Sequence, residues 1–532
     1  MKKQLLYSCL IAGATFIAGC TKNFDAINTD PTKVSAGGLN PNFLMAQAQI
    51  KFSNSGYDQL LFQSMWPQSL ASTYDYYGNG DKYVYAGSGR GYFERTWNTS
   101  YGSSTLIDEM KSLIKGNASY TNLDNCGTIL RVLIIQRITD AYGDVPYSQA
   151  GQAKAGILNP VFDPQQSIYS AMLNDLDVAT AALDVSKDKP SSDLFYSGDI
   201  SQWKKLGYSL MLKVAMRLTK ADPAMAQKYA EKAFAAGTMA SIADNVKVKA
   251  DNANGNGNSD VAALLVKDDF REVRWSNVLI SYMQSSADPR IPAVAEISAG
   301  TGKAANENPV AGINTASLQI GMPNGYDQLG GATDISKAPN YPGTSPADPA
   351  VTADAAAPDG KYSRPRVTVY DDRSRINMLY TYGECELLLA EAAARGWNTG
   401  SAATHYANAL AADMQSLTQF STDAAIPQSS VTAYVAAHPL SATTATALQQ
   451  INMEYFVVTS TTFNFNESWA NWRRSGYPVL TPVKYIGQFI NGSIPRRIPY
   501  PLGLPSTNAA NYAAAVSRQG ADDFATRVWW DK

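Results

Sequence analysis

The residues best suited to chemistry in this sequence are aromatic, and many of them lie close together. From Trp66 to Tyr101, ten aromatic side chains occur within 36 residues, mixed with Asp, Asn and Gly. A sugar ring has an apolar C–H face and a rim of hydroxyls, so flat rings beside polar side chains suit it. The segment therefore predicts a shallow saccharide-binding surface. We expect that surface to use some of Trp66, Tyr74, Tyr76, Tyr77 and Trp97, with Trp275 and Tyr326 from later in the chain.

Core packing is the competing interpretation of the same segment. For any one of these rings the core is the favoured place, and Tyr83-Val84-Tyr85 alternates as a half-buried strand does. For the group as a whole, we expect at least one ring to face a ligand.

Other kinds of chemistry have weaker support in the sequence. Asn252, Asn254 and Asn256 imitate the start of a calcium loop, but the leading Asp and the closing Glu are missing, so a plain polar loop is favoured. Two histidines in the whole chain argue against a histidine metal centre, and no G-x-S-x-G nucleophile motif occurs. A catalytic carboxylate pair stays open, because no spacing singles one out among 46 acidic residues. The sequence calls for no cofactor.

The N-terminus has the pattern of an export signal that ends at a cysteine. Lys2 and Lys3 precede an apolar run that is shorter than the ~20 residues of a membrane span. The run ends in Ile17-Ala18-Gly19-Cys20, which resembles a bacterial lipobox. We expect residues 1–19 to be removed and Cys20 to carry the lipid anchor; the alternative is an ordinary secretory signal with an incidental cysteine.

Composition bounds the remaining chain. Of 532 residues, 513 remain after cleavage before Cys20, with 42 basic and 46 acidic side chains. That near balance argues against electrostatic binding to nucleic acid or anionic lipid. Cys126 and Cys385 lie in apolar helical patterns, which favours buried free thiols, although export leaves a disulfide between them open.

Helical periodicity dominates the first half of the sequence and returns near the end. Asp163 and Pro164 predict the cap and first turn of one helix, and Asp222, Pro223 and Gly237 predict the limits of another. The stretch 128–143 is apolar nearly all round and predicts a central helix. The segment 384–410 has the spacing of a tetratricopeptide pair, with Leu389, Ala390, Ala402, Tyr406 and Ala409 at the expected positions. A simple helical hairpin explains it almost as well.

Between about residues 245 and 370 the periodicity fails and Gly, Pro, Asn and Asp dominate, with Trp275, Tyr282, Tyr326 and Tyr341 among them. Long loops in compact proteins tend to be functional. We therefore predict a mainly α protein: a tetratricopeptide-like scaffold of helical pairs with a large irregular loop-rich ligand lobe and minor β-structure. Residues 20–532 should form one compact unit.

Six ordered motifs add a family resemblance. They are CTKNFDAINTDPTKVS, RITDAYGDVPYSQA, DPR at Asp288–Arg290, NESWANWRRSGYPVL, IPRRIPYP and the terminal RVWWDK. Together they resemble the SusD/RagB family of outer-membrane nutrient-binding lipoproteins, over nearly the whole chain from Cys20. The resemblance implies a helical fold on the surface of a Bacteroidetes-type cell, above a SusC-type TonB-dependent transporter. It also implies capture of oligosaccharides or peptides without catalysis.

The shared motifs look structural, with Trp469, Trp472 and Arg473 expected on a packed helix. No binding residue is carried over from the family, because its ligand aromatics lie in variable loops. Two other functions stay open: a tetratricopeptide-like lipoprotein that binds only proteins and, with less support, a glycoside hydrolase.

Overall fold

The computed structural model describes residues 38–73, 80–84, 89–265, 272–298, 311–343 and 361–532. The predicted signal segment 1–19, the predicted anchor Cys20 and the predicted site residues Tyr74, Tyr76 and Tyr77 lie outside these ranges. Within them the protein is mainly α-helical, as predicted.

The first half is a series of helices in which neighbours along the chain are neighbours in space. These helices are Pro41–Ser53 (α1), Gly56–Leu60 (α2), Gly89–Ile114 (α3), Thr121–Tyr142 (α4), Gln165–Ala182 (α5), Ile200–Met216 (α6) and Pro223–Ala236 (α7). Helix α1 packs on α3, and α3 to α7 then pack each on the next. The central helix predicted from its apolar sequence is α4, which is buried along most of its length.

The middle of the chain consists of short elements joined by irregular segments. Its helices are Ser259–Leu265 (α8), Asn277–Ser285 (α9), Ile291–Val294 (α10) and Val367–Tyr370 (α11). The strands, counted from the start of the chain, are Leu70–Ser72 (β1), Val246–Lys249 (β2), Val273–Trp275 (β3), Ala295–Glu296 (β4), Arg364–Pro365 (β5) and Ile376–Tyr380 (β6). They form three antiparallel pairs, β1 with β3, β2 with β6 and β4 with β5.

The C-terminal part returns to helices. They are Tyr382–Ala394 (α12), Ala402–Ser416 (α13), Gln428–Ala437 (α14), Thr444–Thr461 (α15), Phe465–Ser475 (α16), Leu504–Thr507 (α17) and Ala509–Gln519 (α18). Helices α12 and α13 form the predicted hairpin, and its key positions Leu389, Ala390, Tyr406 and Ala409 are buried. Helix α12 also packs on α6 and α15, which joins the two helical regions.

Helix capping follows the sequence in α7 and departs from it in α5. Asp222 accepts a hydrogen bond from the Met225 N–H (3.0 Å), and the chain leaves α7 at Gly237 with φ of 101°. The prediction that Asp163 caps α5 is wrong. Its carboxylate accepts instead from the N–H groups of residues 147 and 148, while the N–H of Gln165 donates to Asp144, 21 residues earlier (2.8 Å).

Buried ion pairs connect the helices. Arg217, which follows α6, donates to both carboxylate oxygens of Glu467 on α16 (2.9 and 2.8 Å) and to Asp140 on α4 (3.2 Å). Lys213 lies 3.1 Å from the same Glu467. A buried charge that loses its partner costs about 3–5 kcal/mol. Removal of any one of these charged side chains would therefore destabilise the fold, because it would leave a buried charge without its partner.

The two cysteines and the asparagine-rich segment noted in the sequence are parts of the folded structure. Cys126 and Cys385 are both free and buried, as favoured from the sequence. Residues Asn252–Asn254 form a short 3-10 turn that Asp251 caps, with its carboxylate bonded to the Asn254 N–H (3.2 Å) and side-chain amide (2.7 Å). Among the described helices, none combines the length and the apolar character needed to cross a membrane.

Candidate functional site

A cleft of about 480 Å³ lies between the loop lobe and the segment that follows α16. One wall is formed by parts of residues 320–340, including Tyr326, and the other by residues 481–484. Gln68, Asn277 and Tyr362 complete its lining. This volume falls within the ~300–1,000 Å³ typical of small-molecule sites. We call it the Tyr326 cleft.

The lining of the Tyr326 cleft combines polar and apolar groups and is almost uncharged. Among the described lining residues, Lys484 alone carries an ionic side chain, while Gln68, Asn277, Asn324 and Asn340 offer amides. The Tyr326 ring is half-buried. A partly exposed ring among neutral donors and acceptors suits a hydroxyl-rich, uncharged ligand.

Asp81 anchors the wall just before Tyr326. Its buried carboxylate accepts hydrogen bonds from the Gly325 N–H (2.8 Å) and from the Asn324 amide, and Lys82 Nζ lies 3.7 Å away. Burial raises the pKa of Asp81, although Lys82 and these hydrogen bonds oppose the rise. The carboxylate thus fixes the turn that presents the tyrosine.

Asp327 anchors the same wall just after Tyr326. It accepts hydrogen bonds from the hydroxyls of Tyr485 (2.6 Å) and Thr333 (2.8 Å) and from the Leu329 N–H (3.1 Å). Burial acts to raise the pKa of Asp327, but these hydrogen bonds outweigh it and the pKa is lowered. An ionised Asp327 therefore links the wall that carries Tyr326 to Tyr485, the residue directly after the second wall.

A small apolar cluster, separate from the main core, supports the wall formed by residues 320–340. It consists of Ala71, Met322, Ile335, Ala338 and Tyr362, with Tyr326 packed against it. Buried apolar contacts therefore hold in place the wall that carries Tyr326.

Two residues other than glycine have a left-handed backbone at the cleft. Gln68 (φ 57°) and Asn340 (φ 58°) both adopt left-handed conformations and both line the cleft. Such conformations are uncommon outside glycine and cluster at functional sites. The Gln68 side chain donates to the Thr481 carbonyl (2.9 Å), which ties the first part of the chain to the second wall.

Of the predicted site residues, Trp66 and Trp275 lie in the core. Both are fully buried. The ring centre of Trp66 lies 4.7 Å from that of Trp469, and the indole N–H of Trp275 donates to the Val294 carbonyl (3.0 Å). Neither ring has a face available to a ligand. Trp275 instead supports the cleft through its backbone carbonyl, which accepts the N–H of Met322 (2.8 Å).

Trp97 and Tyr83 also lie in packed surroundings. Trp97 is half-buried on α3, edge-on to Tyr142 at 5.2 Å and to Tyr500 at 6.0 Å, and it does not line the cleft. Tyr83 is fully buried, and its hydroxyl accepts the N–H of Val483 (3.4 Å). Tyr83 therefore supports the second wall. Among the predicted site residues that the structure describes, Tyr326 is the one in the cleft.

Sequence reasoning missed Asp81 and residues 481–484. Asp81 lies in the aromatic segment, but its partners Asn324 and Gly325 are more than 240 residues away. Residues 481–484 carry no motif. The one local signal was the Pro323-Asn324-Gly325 turn directly before Tyr326.

A second cavity, of about 740 Å³, lies beside α10 and the start of α14. Its described lining includes Pro289, Pro292, Ile426 and Pro427 and contains no aromatic side chain. It is larger than the Tyr326 cleft but lacks a ring on which a sugar could stack.

Comparison with known proteins decides the family. A model of the SusD-like family, described as starch-binding and associating with the outer membrane, matches residues 31–501. The chain belongs to the SusD-like family. A search of curated proteins finds no match.

Solved structures agree on the fold. A chitin-binding protein is 29% identical, with a TM-score of 0.77 over 92% of this chain and 100% of that one. A SusD-like protein from Bacteroidetes is 21% identical, with a TM-score of 0.79 over 93% of this chain and 100% of that one. A chitin-binding SusD homolog from Flavobacterium johnsoniae is 23% identical, with a TM-score of 0.70 over 92% of this chain and 98% of that one. At these identities, both similarities show the fold alone. The names of the first and third describe binding rather than catalysis.

Proposed function

We propose that this SusD-like protein binds a neutral saccharide in the Tyr326 cleft and delivers it to a TonB-dependent transporter of the SusC type, without catalysis. The observation that carries the proposal is the preorganised ring of Tyr326, fixed on both sides by Asp81 and Asp327 in a nearly uncharged cleft. Preorganisation lowers the entropy lost on binding.

The names of the relatives indicate which ligands to test. The relative at 29% identity is a chitin-binding protein, so chito-oligosaccharides come first. The family description mentions starch, so malto-oligosaccharides come second. Both are uncharged or nearly so, in keeping with the lining of the cleft.

Calorimetric titration of the wild type and Tyr326→Ala with both series tests the proposal. A central aromatic contact is worth ~2 kcal/mol, so Tyr326→Ala should weaken binding about 30-fold. Tyr229→Ala is the matched control, because Tyr229 is half-buried on α7 and does not line the cleft. Loss of affinity in both variants, or in neither, would contradict the proposal. Product analysis after long incubation should show intact oligosaccharide.

The anchor and its orientation belong to the same proposal. We propose that Cys20 is acylated, that the protein faces the cell surface and that residues 20–532 act as one unit. Stable anchoring takes two or more lipid chains, and Cys20 is the proposed site of their attachment. Cys20→Ala should therefore release the protein from the membrane or leave it unprocessed. A Cys20→Ala protein that is processed and still sediments with membranes in high salt would overturn the anchor. Co-purification with a transporter barrel tests the partner.

A further inference from the structure

Arg473 on α16 is buried without an ion-pair partner in the part of the chain that the structure describes. Its Nη1 donates to the backbone carbonyls of Asp140 (2.6 Å) and Arg496 (2.9 Å). The guanidinium carbon lies 3.6 Å from the ring centre of Trp469 and 4.8 Å from that of Trp530. Nη2 has no hydrogen-bond partner among the described residues.

Other buried arginines of this region are paired with carboxylates. Arg474, the next residue, donates to both oxygens of Glu391 (2.6 and 2.7 Å), and Arg217 does the same with Glu467. An ion taken out of water without a counter-charge costs several kcal/mol. Burial lowers the pKa of Arg473 to about 9, so the group is still charged at neutral pH.

A cavity of about 30 Å³ adjoins Arg473, and Gln136 on α4 also lines it. The Nε2 of Gln136 is buried and likewise has no hydrogen-bond partner among the described residues. A space of this size is enough for one or two water-sized particles. Two side chains with unused donors therefore border a space of the size of a small ion.

The carboxylates that line this cavity already have partners. The carboxylate of Asp140 accepts hydrogen bonds from the indole N–H of Trp530 (2.9 Å) and from Arg217 (3.2 Å). Glu467 accepts from Arg217 and lies 3.1 Å from Lys213. Arg217 and Lys213 balance these two carboxylates. The carboxylate of Asp531 also attracts Arg473, but its charge is shared with Arg496 (3.3 Å) and Arg527 (3.0 Å). The cations around Arg473 therefore outnumber the carboxylates.

We propose that a small monovalent anion, chloride in a saline medium, binds in this cavity and accepts hydrogen bonds from Arg473 Nη2 and Gln136 Nε2. A water molecule could accept the same hydrogen bonds but would add no negative charge to a site in which the cations outnumber the carboxylates. The anion joins α4 to α16 at the centre of the scaffold. It is a structural ligand and is separate from the Tyr326 cleft.

Crystals grown with bromide in place of chloride test the site directly. We expect an anomalous bromide peak within hydrogen-bond distance of both nitrogens. Oxygen-sized density without anomalous signal, or no density, would overturn the proposal in favour of water or an empty cavity.

Thermal unfolding gives a second test that does not need crystals. At constant ionic strength, the melting temperature of the wild type should rise as chloride replaces gluconate, because the ligand binds only the folded state. Gln136→Glu places a fixed carboxylate beside Arg473 and should abolish this halide dependence. Gln166→Glu, at an exposed position on α5, is the matched control and should keep it. A wild type with no halide dependence, or a Gln136→Glu variant with the full dependence, would contradict the proposal.

Discussion

Replacement of Trp66 by alanine separates a core tryptophan from a ligand-binding one. The Trp66 ring is fully buried, with ring centres 4.7 Å from Trp469, 5.9 Å from Phe62 and 6.2 Å from Phe93. Its removal loses these contacts and leaves a cavity that large rings cannot easily fill. The expected cost in the free energy of unfolding is ~3–5 kcal/mol.

That cost corresponds to a modest shift in melting temperature because the protein is large. At ~2.1 cal/mol/K per residue, unfolding a chain of 532 residues carries an entropy of ~1.1 kcal/mol/K. Trp66→Ala should therefore lower the melting temperature by ~3–5 °C.

Differential scanning calorimetry measures the shift, and oligosaccharide titration well below the transition measures binding. We expect Trp66→Ala to keep its affinity within about twofold, since the Tyr326 cleft is held by other contacts. Tyr326→Ala should show the reverse, with weak binding and a small change in melting temperature. A Trp66→Ala protein that melts like the wild type but no longer binds would refute the assignment of this ring to the core.

Two further predictions concern buried carboxylates and pH. Burial alone would raise the pKa of Glu391, but Arg474 and Arg395 lower it from 4.5 to about 2, so its contribution to stability is present above pH 4.5 and is lost as the pH falls towards 2. Glu391→Gln should lower the free energy of unfolding by ~3–5 kcal/mol at neutral pH. It should also make the melting temperature fall less steeply as the pH is lowered below 4.5, and an unchanged slope in that range would contradict the prediction. Burial raises the pKa of Asp260 from 3.8 to about 7, so the wild type loses stability as the pH rises from about 4 to about 7. The melting temperature of Asp260→Asn should therefore gain on that of the wild type between about pH 4 and 7 and level off above pH 7, and a constant difference from pH 4 to 7 would count against the shift.

Local signals predicted the helices well because helix limits depend on neighbouring residues. In α7, the Asp222 cap and the Gly237 stop lie next to the helix they bound, and both were predicted correctly. In α5 the cap comes from Asp144, which the fold brings close through a bridge between Val145 and Asp163. That contact depends on tertiary structure, and the capping pattern at Asp163 was misleading for this reason.

The site was less predictable, since composition does not distinguish a buried ring from an exposed one. Trp66 and Tyr326 both lie close to proline and to side-chain amides in the sequence, yet the first is buried and the second lines the cleft. The difference comes from long-range packing against α16 and from the Asp81 and Asp327 anchors. Neither anchor stands out from the other acidic residues until the fold is known.

A crystal structure with a bound chito-oligosaccharide tests the central claim most directly. The proposal predicts a sugar ring stacked on Tyr326, with its hydroxyls bonded to the amides of the cleft and to the 481–484 wall. Ordered sugar in the 740 Å³ cavity beside α10, with the Tyr326 cleft free of sugar, would contradict it.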